Sequence, residues 1–443
     1  MPQIKEASPH VSVRLYKTIS RKTVDGQTAV STRYAGKDEY IDLTPYLGDG
    51  SSVVTRKSIR EPAGGFSITF ADKPKASGVS VGTPLLGSSM ETVYGLVEPM
   101  DVIEIRMWSG IGTKPAVLPI KMRGFVSKVG RSQSMTQDGK PVRSVIVSGQ
   151  DYGKIWQTYQ VLYLSAYDGA NAFLTAYNMW EKFGVGAQNT MPAGDFVRAM
   201  VEKVLNPHIK GFMPKNSPMP KELKLDISVK NGVVNNSYQS QQGSIYDVLR
   251  SMADVGVWNE LYIEDREDGA YVVYRPMPAL HLTKPEGAKD RKIQPDAPDP
   301  IYVTVSDEFT QSINAERSDE NVANFFWVNN QRYDLIDDTF RKQAAVVSGD
   351  PSVSTREYPN TAVQYYGIRP MYAETQQAAN DVSSMTTGLD ASEQEQRSGM
   401  LIDWLDNRRQ IMMAMNRDNV GAGGWHGSHQ GQAHTTGWQG WEG

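Results

Sequence analysis

The chain has 443 residues, with 46 lysines and arginines against 50 aspartates and glutamates and a formal net charge of −4. Such a length accommodates roughly two to four domains with cores of their own. The charge argues against a protein that grips nucleic acid through a dominant basic surface, but leaves open the passive passage of DNA past a neutral or acidic wall. The absence of cysteine excludes disulfides and thiolate metal sites.

From the N-terminus to about residue 150 the pattern is strands separated by turn residues. Val11, Val13 and Leu15 alternate with polar neighbours, Phe66-Ser-Ile-Thr-Phe70 alternates, and Ile103, Ile105 and Met107 share a face while Glu104 and Arg106 take the other. This predicts a half-buried sheet. Ile120 and Met122 lead through Gly124 into Val126 and Val129, and Asp138-Gly-Lys-Pro141 turns the chain back into Val145-Ile-Val147. Strands at this spacing favour a closed barrel, which leaves no exposed edge.

After Gly149-Gln-Asp151 helical spacing takes over, around 151–164, 168–183 and 194–206, with stripes such as Phe173, Tyr177 and Trp180 or Phe196, Met200, Val201 and Leu205. Gly184 and Pro207 stand where helices should stop. A Pro- and Lys-rich linker closes this insertion at 222, and strand character resumes at Leu223, Leu225, Ile227 and Val229.

The most informative stretch follows. Ser244 with Asp247 reads as an N-cap and first-turn carboxylate, and Ile245, Val248, Leu249 and Met252 form one helical stripe. Past Gly256 the period becomes two, and Leu261 and Ile263 are expected to face Tyr271 and Val273 across Glu267-Asp-Gly269. The segment 277–300 reads as a loop, and Ile301-Tyr-Val-Thr-Val305 and Phe325-Phe-Trp-Val328 as buried strands of a second β unit. From Asp390, with Glu393 completing a capping box, Met400, Leu401, Trp404, Leu405, Ile411 and Met412 make the apolar face of a long helix in need of a partner surface. The remaining residues from Gly421 are a Gly/His/Trp/Gln tail without periodicity.

The expected fold class is therefore α+β, with β units at 1–150 and 223–375, a helical insertion with linker at 151–222, and a C-terminal helix and tail at 376–443. No signal peptide or membrane-spanning run is present, so synthesis and assembly in the cytoplasm are expected.

Motifs of catalysis are scarce. A P-loop, a Gly-x-Ser-x-Gly elbow and a His-Glu-x-x-His pair are missing, so no catalytic or cofactor-binding residue is assigned and no cofactor is expected. His426, His429 and His434 are spaced so that they could share a metal ion, but they sit in a Gly-rich tail without a carboxylate before Glu442, and a solvated or docked tail is the simpler reading. Glu264, Asp265, Glu267 and Asp268 could mimic a glycosidase acid/base pair; an Asp-Arg-Glu-Asp-Gly turn is more simply a solvated loop. Asp334, Asp337 and Asp338 lack the spacing and glycine of a calcium loop. Trp156, Tyr177, Trp180 and Trp404 fall on apolar helix faces, where packing rather than stacking on bases or sugars is expected.

Several segments, taken in order, resemble the baseplate hub proteins of T-even and Mu-like contractile phage tails and their late-control and type VI spike relatives. They are Arg60-Glu-Pro-Ala-Gly-Gly-Phe-Ser-Ile-Thr-Phe70, Asp101-Val-Ile-Glu-Ile-Arg106, Arg123-Gly-Phe-Val-Ser-Lys-Val129 and Val145-Ile-Val-Ser-Gly-Gln-Asp-Tyr-Gly-Lys154, then Trp258-Asn-Glu260, Asp265-Arg-Glu-Asp-Gly269, Arg275-Pro276 and Arg317-Ser-Asp-Glu-Asn-Val-Ala-Asn324. The resemblance spans roughly residues 10–375. It implies two tail-tube-like β-barrels per chain and a homotrimer that presents a pseudo-sixfold ring. That ring would adapt a sixfold tail tube above to a threefold central spike below, among other baseplate proteins of the virion. It further implies a channel through which genomic DNA passes without specific binding, and no enzyme activity. The helix face Met400, Leu401, Trp404, Leu405, Ile411 and Met412 is the expected interface with a neighbouring subunit or the spike. Alternative expectations are a receptor- or glycan-binding tail component, or a hub carrying a cell-wall hydrolase.

Overall fold

A computed structural model describes residues 9–18, 40–48, 50–59, 61–71, 92–110, 113–135, 139, 141–161, 190–213, 217–230, 232–235, 243–278, 297–298, 323, 325–330, 369–378 and 391–415. The class is α+β. The first β unit is a seven-stranded antiparallel sheet built from β1 (His10–Tyr16), β2 (Ile41–Asp42), β3 (Ser52–Arg56), β4 (Gly65–Ala71), β5 (Val102–Trp108), β6 (Ile120–Met135) and β7 (Pro141–Asp151). Its order is β2-β1-β5-β6-β7-β4-β3, an open arrangement with β2 and β3 at the edges; the described strands do not draw the closed barrel that was expected. A short helix, α1 (Val93–Leu96), is capped by the Thr92 hydroxyl and leads into β5.

One face of this sheet carries its own core, with Val13, Leu15, Ile68, Phe70, Ile103, Ile105, Met122, Val126, Val145 and Val147 all buried, as the alternation predicts. The other face is not the solvated one that a half-buried sheet requires. Tyr16, Val102 and Phe125 on that side join a second cluster, and Glu104, Arg106 and Arg123 between them are buried as well. Both faces are covered because described residues between 152 and 274 pack on the back of the sheet.

That covering layer starts at the sheet's exit. Helix α2 (Gly153–Thr158) buries Ile155 and Trp156, and the Trp156 Nε1 donates to the Pro62 carbonyl at 2.5 Å, tying the helix to the strand β4 approach. Short strands β8 (Gln160–Val161) and β9 (Thr190–Pro192) precede α3 (Ala193–Met200), whose Phe196, Val197 and Met200 face the cluster. The helix does not stop at Pro207. A π-helical turn over Val201–Leu205 passes into α4 (Asn206–Phe212), where the proline occupies the first turn, the one place in a helix whose missing N–H costs nothing.

Strand β10 (Leu223–Ile227), β11 (Val233–Asn235) and β12 (Gly243–Ser244) lead to α5 (Ile245–Met252), β13 (Asn259–Arg266) and β14 (Gly269–Pro276). Ser244 is the expected N-cap, and with Asp247 it goes further and forms a capping box, each side chain bonding the other's backbone N–H. The β13–β14 hairpin forms, with β10 added parallel to β14. Its register differs by one residue from the expectation: the turn is Glu267-Asp268 alone, so Leu261 pairs with Tyr274 and Ile263 with Val272. A slip of one residue exchanges faces, which puts Tyr271 on the outer side and Val272 and Tyr274 in the core. The second cluster draws on residues from 152 to 274 and from β5 and β6, so the helices, hairpin and sheet back share one core.

The last described elements are β15 (Phe325–Asn330), parallel to β16 (Pro370–Thr375), then β17 (Gln377–Ala378) and α6 (Ala391–Met415). Residues 162–189, 301–322, 331–368, 379–390 and 416–443 lie outside the described residues, and with them the strand at 301–305, the helix at 168–183, Trp180, Asp334, Asp337, Asp338, the Asp390 cap, and His426, His429 and His434. No helix among the described residues is long and apolar enough to cross a membrane.

Candidate functional site: the seam between sheet and hairpin

The tip of the β13–β14 hairpin docks on the back of the first sheet through buried charge. Glu104, on β5, is 2% exposed, and its carboxylate accepts from Arg106 Nε at 2.6 Å and Arg123 Nε at 3.1 Å, with Arg14 Nη1 at 3.6 Å. Arg123, on β6, spends its remaining donors on the hairpin turn: Nη1 reaches the carbonyls of Arg266 at 2.7 Å and Gly269 at 3.3 Å, and Nη2 that of Glu267 at 3.2 Å. Arg106 Nη1 donates to the Leu118 carbonyl at 2.7 Å and to Glu267 Oε2 at 3.1 Å, while Glu267 Oε1 accepts from the Ile120 N–H at 3.2 Å. A planar guanidinium can satisfy a carboxylate with one edge and turn carbonyls with the other, which an ammonium cannot do. The seam is therefore geometrically specified.

Beside this clasp lies a cleft of about 250 Å³ lined by Lys57, Glu61, Lys121, Asp151, Glu264 and Asp265, among others. Lys57 Nζ donates to Asp265 Oδ2 at 2.6 Å and stands 3.6 Å from Asp151 Oδ2, so one cation faces two buried carboxylates. Asp265 Oδ2 also accepts from the Arg123 N–H at 3.2 Å, and its Oδ1 is buried with no hydrogen-bond partner among the described residues. Burial pushes the Asp151 carboxyl up to about 6, against the pull of Lys57 and with a further push from Asp265, while the N–H groups of Gly153 and Gly64 act in the lowering direction.

The solvated-loop reading of the four hairpin carboxylates is thus corrected in part. Asp265 has a side chain 1% exposed and Glu267 bonds the sheet, whereas Asp268 stays outside, held by Lys224 at 2.6 Å and by the Tyr271 hydroxyl at 2.6 Å. No group of acidic and histidine side chains suited to a metal ion occurs among the described residues.

A second buried polar knot lies behind the hairpin. Asp254, in the left-handed region at φ 51°, accepts from the Thr375 hydroxyl at 2.5 Å and the Gln376 N–H at 3.4 Å. Burial raises its carboxyl to about 6 despite the Arg408 charge and those bonds. Asn259 Nδ2 and Gln377 Nε2 both donate to the Tyr274 hydroxyl, at 3.2 and 3.3 Å, and that hydroxyl donates to the Ala253 carbonyl at 3.0 Å.

This knot seats helix α6. Leu401, Leu405 and Met412 are buried against Trp258, Phe326 and Val328, and the half-buried Met400, Trp404 and Ile411 pack on the same cluster. Part of the face expected to need an outside partner, Leu401, Leu405 and Met412, is covered by this chain's own Trp258 and β15, while Met400, Trp404 and Ile411 keep some exposure. Trp258 Nε1 donates to the Arg408 carbonyl at 3.0 Å, and the Arg408 guanidinium stacks 4.2 Å over Trp404 and 5.5 Å from Trp258. Sequence reading missed the seam because Glu104, Arg106 and Arg123 look like the solvent side of strands. The available signal was Val102 and Phe125 on that same face, apolar residues that a solvated face does not need.

No protein-family model matches the chain, and no curated protein matches it in sequence. Among solved structures it is similar to a tail protein from Neisseria meningitidis at 10% identity and a TM-score of 0.36, over 74% of this chain. The chain spans 64% of the length of that protein. A likeness at that level assigns neither fold nor function.

Proposed function

We propose that the chain is a structural component of a phage tail, and within it the baseplate hub: a homotrimer whose two β units per chain imitate the six equivalent edges of a tail tube above a threefold spike. On this reading it resides in the virion after assembly in the host cytoplasm, touches other baseplate proteins, and lines a channel that DNA crosses without specific binding. The seven-stranded sheet and the sheets of 223–375 are its two tube-like units.

The observation that carries the reading is the Arg123 clasp. Three segments that resemble the hub family, Asp101–Arg106, Arg123–Val129 and Asp265–Gly269, are remote in sequence, and here they meet at one seam through Glu104, Arg123 and the hairpin carbonyls. A protein that passes mechanical force between two rings needs its two units fixed at one angle, and a buried guanidinium shared between a carboxylate and backbone acceptors supplies such a constraint. The test is size-exclusion chromatography with light scattering, followed by negative-stain end views. A trimer showing a threefold ring with six lobes supports the hub, and a stable monomer in the presence of candidate tube and spike partners overturns it.

A further inference from the structure

We propose that Lys57, Asp151 and Asp265 form a proton-operated latch on the seam: with a proton on Asp151 the hairpin tip is closed on the sheet, and loss of that proton loosens it.

The geometry carries this as a count of buried charge. Lys57 comes from the segment after β3, Asp151 from the end of β7 and Asp265 from β13, so the three close the cleft from both sides of the seam. One ammonium against two carboxylates leaves a net charge of −1, and the Asp151 and Asp265 side chains are 3% and 1% exposed. The neighbouring charges have partners of their own, and Arg14, 3.6 Å from Glu104, is a part-exposed cation among them. Arg123 and Arg106 are engaged by Glu104, Glu267 and carbonyls, Glu61 is paired with Arg56 at 2.6 Å, and Glu264 with Arg266 at 2.6 Å. Lys121 lines the cleft on an exposed stretch of β6. The buried Oδ1 of Asp265 has no hydrogen-bond partner among the described residues, so the carboxylate on this side of the cleft is incompletely satisfied. A proton on Asp151 is the smallest cation that neutralises the cluster.

The ordinary direction of burial agrees, since Asp151 is raised from 3.8 to about 6. The closed seam then binds the proton more tightly than the open, hydrated one, and its opening equilibrium rises as pH increases through this window. Two units of displacement correspond to at most about a hundredfold change in that equilibrium.

Hydrogen exchange read by mass spectrometry on the full chain tests this, between pH 5 and pH 7.5 with intrinsic rates corrected. The expected result is a loss of protection in the peptides covering 57–64 and 263–269, by about tenfold to a hundredfold at pH 7.5. Asp151→Asn should flatten that response. Lys57→Gln, which removes the cation, should shift it to higher pH and serves if the asparagine variant fails to fold. Asp254→Asn should leave the response of these peptides intact while removing any pH effect at the α6 junction. A flat response in the native protein, an unchanged one in Asp151→Asn, or a shift to lower pH in Lys57→Gln overturns the latch.

Discussion

Among the described residues, two internal junctions bury arginine, and they do so in different ways. At the seam, Arg123 has a carboxylate on Nε and carbonyl acceptors on both Nη atoms, so direction as well as charge is satisfied. At the α6 junction, Arg408 lies between the rings of Trp404 and Trp258 with Asp254 as its electrostatic counterpart, and neither its Nε nor the Trp404 Nε1 has a hydrogen-bond partner among the described residues. Burial accordingly lowers the Arg408 pKa despite the opposing influence of Asp254 and Tyr274. One junction fixes an angle through hydrogen bonds, and the other coheres through apolar area. Stability should therefore respond to polar substitutions at the first and to truncation of apolar side chains at the second.

The largest effect is expected from Arg123→Met. It leaves Glu104, 2% exposed, with Arg106 as its close partner and strips the hairpin turn of its donors. Breaking one side of a buried charge network costs about 3–5 kcal/mol, to be read from urea unfolding. A loss under about 1 kcal/mol, within the range of exposed ion pairs, would show that the clasp is hydrated in solution. Leu405→Ala should come next, at about 2–4 kcal/mol, because the side chain is buried against the cluster of Trp258 and Phe326 and leaves a cavity there. If the same substitution costs less than about 1 kcal/mol, helix α6 is not seated on its own chain and the expected outside partner for Met400, Trp404 and Ile411 regains its standing.

How much of this could be read from the sequence depends on whether the determining interaction is local. The α5 cap was legible because Ser244 and Asp247 sit three residues apart and act on each other, and β4 was legible because Phe66, Ile68 and Phe70 alternate within one strand. The hairpin strands were legible but not their register, since a two-residue turn and a three-residue turn differ by one backbone step that no side-chain pattern declares. The seam was hidden because its members come from residues 57, 104, 123, 151 and 265, and Glu or Arg on a strand reads as solvated until something packs on it. The passage of the helix through Pro207 was hidden for another reason: the π turn before it reset the helix so that the proline fell in a first turn. The interface face on α6 was legible as apolar; sequence could not say that Trp258 would cover Leu401, Leu405 and Met412 of it.

Acid should act on the α6 junction in the same direction as on the seam, through a different carboxyl. Asp254 has a folded value raised to about 6 from 3.8, so between roughly pH 4 and pH 6 the native state holds more protons than the unfolded chain. Stability contributed by this group is thus greatest at the acidic end and is lost as pH rises through 6, by at most about 3 kcal/mol for a displacement of some two units. Asp254→Asn should flatten that part of the curve in urea titrations at pH 4.5 and 7. An unchanged slope would mean that Arg408 keeps Asp254 ionised throughout, and would make the α6 junction a true ion pair like the seam.

The smallest effect should come from Ser244→Ala, and its smallness is informative. The Ser244 hydroxyl accepts from the Asp247 N–H at 3.1 Å and the Asp247 carboxylate accepts from the Ser244 N–H at 3.1 Å, a reciprocal arrangement confined to the first turn of α5. Losing the hydroxyl should cost about 1 kcal/mol, the usual value for a cap. Helix α5 lies between the junctions: its inner face, Val248, Leu249 and Met252, shares the core behind the sheet, and Ala253 and Asp254 follow directly into the α6 knot. If the two junctions are independent, the cap variant should lower stability without changing exchange in either 263–269 or 401–412. Should it loosen one of them selectively, α5 is the lever that connects the hydrogen-bonded seam to the apolar seat of α6, and the two would have to be treated as one mechanical unit.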